Sequence, residues 1–206
     1  MTELNTDKLA AYIRSIEGFV YSEQIDSYDH MGAVVVDGIL QAGLSYKTVV
    51  KPRVMSILNQ YGDKKTTDDF ISVCAKVGIR NLINFQNGYK PDCIISLLHF
   101  LKSNNIQTVR ELKLWLRNPD NKNRFIKENK GIGAKTAEYF RILCGDQTVK
   151  VDVHMARFLD SAGFANLPLD EAVKLVSNTA LKLGVKPSVL DYSIWNYQSN
   201  LKTLAR

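Results

Sequence analysis

The sequence predicts an all-α protein, and three observations carry that prediction. Apolar residues recur at three- and four-residue spacing along almost all of the 206-residue chain, the spacing that gathers them on one face of a helix. Strand-type alternation is nearly absent: Val34-Val35-Val36 alone has strand character, and no second stretch of similar strength exists to pair with it. Several glycines and prolines stand where helices would stop or start.

The elements follow in order. Leu9, Tyr12, Ile13 and Ile16 form one stripe, and Gly18 stands just beyond as a stop. Met31 to Leu40 is apolar enough to be buried all round. Pro52 suits the first turn of a helix running to about Tyr61. Further helices are expected near 66–77, 91–103, 107–117 and 120–129. Pro91 opens one of them, and Asp92 suits its first turn electrostatically. Four more are expected near 134–144, 153–162, 169–183 and 187–199, with Asp170 close to an N-cap position and Gly184 as a stop. The total is ten or so short helices, with no low-complexity segment and no solenoid period.

Composition bounds the function. A hydrophobic content of 45% over this length supports a core without disulfide staples. A net charge of +6 and a pI near 9.1 suit a polyanionic partner without defining a site. Cys74, Cys93 and Cys144 fit no zinc or iron–sulfur spacing and read as buried free thiols in a reducing compartment. The amphipathic, acid-bearing N-terminus has no uninterrupted apolar run, so neither a secretion signal nor a membrane span is expected there. A cytoplasmic, nucleoid-associated location follows, or a nuclear one in a eukaryotic host.

One stretch stands out. "RFIKENKGIGAKTAEYFRIL" reads as helix, tight turn, helix, with Phe125 and Ile126 apolar on the first helix and Ala137, Phe140 and Leu143 on the second. Gly131 and Gly133 allow positive φ or close backbone approach. Ile132 between them would plug the turn into the core. Two glycines at a helix start present backbone N–H groups that hold a phosphate without a charged side chain. Lys135 falls in the first turn of the second helix, where a cation works against the helix dipole. Asp152 opens the helix "VHMARFL" and is an N-cap in its own right.

"GIGAKTAEYF" followed by "VDVHMARFL" resembles the helix-hairpin-helix (HhH-GPD) DNA glycosylase superfamily. The first string is close to the endonuclease III branch and the second to the 8-oxoguanine glycosylase-lyase branch. The resemblance implies a two-lobed helical fold with an active-site cleft between the lobes. Residues 20–130, completed by the hairpin pair 120–144, would form a helical barrel lobe; 1–19 and 145–206 would form the lobe carrying the catalytic aspartate. Lys135 would be the nucleophile and Asp152 its assistant, with His154 and Arg157 in support. Gly131, Gly133, Lys130 and Ala134 would grip DNA backbone. Lys130 stands where the pattern commonly has proline. "AVVVDGILQAGLSYKTV" resembles the segment whose glutamine fills the gap left by an extruded base, which makes Gln41 the candidate plug; "NGYKPDCIISLLHFL" resembles the family's Tyr-x-x-Lys-Ala stretch. A monovalent cation, Na+ or K+, at hairpin carbonyls is also implied. No cysteine cluster follows Asp152, so no iron–sulfur cluster and no other cofactor is expected.

The chemistry needs these residue types. A base stacked in a duplex must be flipped out before a side chain reaches its glycosidic bond. Lysine, with an ordinary pKa of about 10.4, must lose a proton before it attacks. The implied function is base excision with β-lyase activity on double-stranded DNA bearing a damaged base or abasic site, by a monomer with no membrane association. Two other readings are open: a glycosylase without lyase activity, in which Lys135 contacts phosphate, and a non-catalytic helix-hairpin-helix module. Trp195, Tyr192 and Tyr197 on the last helix read as core, or as a wall on which a base stacks.

Overall fold

Twelve α-helices and one π-helical turn account for the secondary structure of the described residues, 3–22, 27–86 and 88–204 of a computed structural model, with no strand among them. In chain order these are α1 (Glu3–Ser15), α2 (Met31–Leu40), the π turn Tyr46–Val50, α3 (Lys51–Tyr61), α4 (Thr67–Val77), α5 (Ile79–Leu82) and α6 (Lys90–Ser103). Then come α7 (Val109–Arg117), α8 (Pro119–Glu128), α9 (Ala134–Leu143), α10 (Val153–Ser161), α11 (Leu169–Lys182) and α12 (Pro187–Leu204). No helix among the described residues is long and apolar enough to cross a membrane.

The all-α expectation holds, and Val34-Val35-Val36 is helical. It lies in α2, all ten residues of which are buried; surrounding apolar helices supply the packing that a strand would have needed from a partner. α11 starts at Leu169, as expected. Its N-cap position is Pro168, which makes no side-chain bond, and Asp170 lies in the first turn. Proline presets the backbone there, leaving Asp170 to act on the helix end through its charge. The π turn and the four-residue α5 are additions to the expected set.

The chain divides into two compact units, Ser27–Gly145 and Met1–Asp26 with Asp146–Arg206. The first is built around α2, which packs against α3, α4, α6 and α9. Two glycines make this possible. A Cβ at Gly32 would run into the Phe70 ring, and one at Gly38 into the Phe140 ring. Both rings are fully buried. Phe140 continues into an edge-to-face pair with Phe125 at 5.2 Å, and Phe125 packs on Phe100 at 6.0 Å. Amid this apolar packing Asp37 is 0% exposed. Its carboxylate accepts from the Tyr28 hydroxyl at 2.7 Å and the Tyr139 hydroxyl at 2.9 Å, the compensation that a buried charge requires. Burial and the Asp37 charge together drive the Tyr28 hydroxyl far above the ordinary tyrosine range.

In the second unit α1 packs along α11, and α12 lies against α10 and α11. Its core gathers Leu9, Ile13, Phe158, Leu175, Leu190 and Ile194. All three cysteines are buried free thiols, and burial pushes the Cys74 thiol up to about 12.

Candidate active site

The hairpin of the first unit is held rigidly before any ligand is considered. Glu138 of α9 is buried and accepts from Lys122 of α8 at 2.8 Å and from Arg141 at 2.9 Å. Phe125 and Phe140 pack between the same two helices. In the turn Gly131 has φ +85°, a backbone state that side chains rarely adopt. Ile132 is buried as expected, and its N–H reaches Asn129 O at 3.2 Å. Gly133 differs from Gly131: it is extended, and it is the N-cap of α9 with no side-chain capping bond. A Cβ there would meet nothing within 4 Å. The helix therefore starts on open backbone, and its first N–H groups have no intrahelical acceptor.

Lys130, Ala134 and Lys135 are all exposed around this turn. The Lys130 ammonium lies 5.5 Å from the centre of the exposed Tyr89 ring. Lys135 occupies the first turn of α9, as the spacing predicts. Below the turn, Asn129 is buried and donates to Phe125 O at 3.0 Å, while its Oδ1 is buried without a hydrogen-bond partner.

Gln41 is half-buried at the C-cap of α2, where its N–H reaches Asp37 O at 3.0 Å. Lys90 donates to Ile39 O at 2.7 Å and Ala42 O at 2.8 Å, on either side of Gln41. This cation satisfies the open carbonyl end of the helix, and burial holds its pKa below the usual lysine range.

The second unit carries Asp152, His154 and Arg157. Asp152 is the N-cap of α10; its Oδ1 accepts the N–H of His154 at 2.8 Å and of Met155 at 3.1 Å. The helix start is thus held by Asp152 itself. The His154 ring packs edge-on against Trp195 at 6.2 Å, and its Nδ1 is buried without a partner. Arg157 is exposed and makes no ion pair among the described residues. The three aromatics of α12 separate. Tyr197 packs against Phe19 and Phe158 in the core. Tyr192 and Trp195 stack on each other at 5.8 Å, and Trp195 with His154 forms an aromatic group at the start of α10, next to the Asp152 cap.

Sequence reasoning missed two carboxylates. Asp37 carried a signal, as the one charge in "MGAVVVDGIL". Asp191 of α12 carried none, because its partner is distant in the chain: it accepts the Lys150 N–H at 3.0 Å. Burial pushes Asp191 up to about 7, against the charge and N–H of Lys150, which pull it down; the charge of Asp152 adds to the push.

The family model described as "Domain of unknown function (DUF8548)" matches residues 8–199. The chain belongs to this family. No curated protein matches it. Two solved structures share the fold that the family member shows here. One is the 8-oxoguanine DNA glycosylase of Thermotoga maritima, Tm1821, with a TM-score of 0.52 and 15% identity over 94% of this chain and 86% of that one. The other is the H. pylori 3-methyladenine DNA glycosylase MagIII bound to 1,N6-ethenoadenine, with a TM-score of 0.54 and 12% identity over 99% and 97%. The fold is the all-α fold of these helical DNA glycosylases.

Proposed function

We propose that this protein is a base-excision DNA glycosylase with an associated β-lyase activity, and that it acts on double-stranded DNA with a damaged base or an abasic site. The observation that carries the reading is the hairpin: a glycine N-cap leaves the start of α9 open, and an exposed lysine stands in its first turn. The shared fold with two DNA glycosylases supports it.

In this reading the N–H groups around Gly131 and Gly133 hold a backbone phosphate, which positions the protein without reading sequence. Lys130 adds a positive charge, and Gln41 fills the gap left by the flipped nucleotide. Asn129 Oδ1 and hairpin carbonyls would hold a monovalent cation, which would screen the phosphate. Neutral Lys135 attacks the sugar C1′ as the base departs with the electrons of the glycosidic bond; Nζ then gives up a proton, the C1′–O4′ bond breaks, O4′ takes up a proton, and the opened sugar is left as a C1′=N Schiff base. Asp152 stabilises the positive charge that develops on the sugar and assists proton transfer. Loss of the 3′ phosphate by β-elimination then nicks the strand.

Borohydride reduction on a panel of single-lesion duplexes tests this. The wild-type protein should form a covalent adduct, and Lys135→Gln should abolish it. Base release with an intact strand and no adduct would assign Lys135 to phosphate contact instead. DNA binding without release of any base would leave a binding module.

A further inference from the structure

Asp191 is half-buried on α12, next to the core positions Leu190 and Ile194. A carboxylate in such a stripe needs a reason, and its hydrogen bond supplies one. Its Oδ1 accepts the Lys150 N–H at 3.0 Å, and the carbonyl of that same Lys150 accepts the Asp152 N–H at 3.0 Å. One residue thus has both backbone polar groups occupied, its N–H on Asp191 of α12 and its C=O on the Asp152 N–H. Asp152 then turns its carboxylate forward onto the N–H groups of His154 and Met155.

We propose that Asp191 is a positioning residue for Asp152: it fixes the turn from which the Asp152 carboxylate projects and sets how much negative charge stands beside it. This role rests on the glycosylase reading of Asp152. The charged groups that act on Asp191 are Lys150 and Asp152, both in the segment leading into α10; among the described residues α11 contributes none, and α10 itself presents His154 to Trp195, one turn along α12. The neutral and ionised forms of Asp191 are both populated near pH 7. Both forms accept the Lys150 N–H, so the turn persists while the charge changes. Ionised Asp191 adds a second negative charge beside Asp152 and strengthens the stabilisation of a cationic sugar.

The test pairs a readout independent of activity with one that depends on it. In the free protein, carbon-detected NMR follows the Asp152 carboxyl and the amides of Lys150, His154 and Met155 against pH. All four should show a step near neutral pH, and Asp191→Asn should remove it while leaving the fold intact. In single-turnover borohydride trapping, wild type should show an inflection near neutral pH that Asp191→Asn lacks, with duplex affinity unchanged. Asp191→Ala, which also loses the acceptor, should trap at least about tenfold more slowly. Unchanged Asp152 titration and an unchanged pH profile in Asp191→Asn would overturn the proposal. Should wild type trap on no lesion, the glycosylase reading fails, and the NMR titration alone still decides whether Asp191 governs Asp152. Should Asp191→Ala fail to fold, Asp191→Asn and the wild-type titration decide.

Discussion

At the scale of single residues, the two carboxylates beside the start of α10 are held in opposite ways. Asp152 is bonded by two backbone N–H groups and half-open to solvent. Asp191 is half-buried, and burial pushes its carboxyl up despite the Lys150 N–H. The sign follows from linkage. The unfolded chain ionises Asp191 near 3.8 and the folded chain near 7. Below about pH 3 both states are protonated and no cost exists; the cost grows as pH rises between the two pKa values and is fully present above them. Asp191→Asn, which keeps an acceptor for Lys150 and carries no charge, should therefore lie within about 1 kcal/mol of wild type at pH 4.5. At pH 8.5 it should exceed wild type by roughly 2–4 kcal/mol of unfolding free energy. Thermal melts at the two pH values check this; equal Tm values at pH 8.5 would show that ionised Asp191 costs the fold nothing.

At the scale of elements, the contact of α2 with α9 fixes where the hairpin helix lies. Phe140 rests on the backbone of α2 at Gly38, and Tyr139 of α9 donates to Asp37 of α2. Gly38→Ala should drive a methyl into a fully buried ring and destabilise the protein by about 1–3 kcal/mol. Adding Phe140→Leu should recover part of that loss, a coupling that urea denaturation of the single and double variants would measure. Much of this level was legible in the sequence. Apolar periodicity marks α3, α4 and α6–α11 within a residue or two, because each buries one continuous stripe, and the aspartate before "VHMARFL" marks the cap of α10. The π turn was hidden, since "YKTVV" has no period of its own and is shaped by the entry into α3. Asp170 lies close to the cap position, which Pro168 itself takes. Asp191 was beyond reach, since its bond to Lys150 spans 41 residues and no local pattern encodes it.

At the scale of the whole chain, the positive charge is unevenly shared. The unit Ser27–Gly145 has 18 basic and 10 acidic residues, a net of +8, whereas the remainder has 9 and 11, a net of −2. The surplus cations thus lie with the hairpin, and the carboxylates Asp152 and Asp191 lie in the unit of slight negative charge. A duplex attracted to the protein should be gripped by the hairpin unit, and the grip should weaken with salt as displaced counterions lose their entropic advantage. The logarithm of affinity should fall linearly with the logarithm of salt concentration, at a slope of about 0.9 per phosphate held. Lys130→Ala should lower the affinity for every duplex alike and reduce that slope by about 1. Glu171→Gln, on the exposed face of α11, should leave the slope unchanged, because it alters the net charge by the same amount, in the opposite direction, away from the hairpin. Fluorescence anisotropy at several salt concentrations separates the two. A slope that followed net charge equally in both variants would show that the attraction belongs to the chain as a whole and not to its hairpin unit.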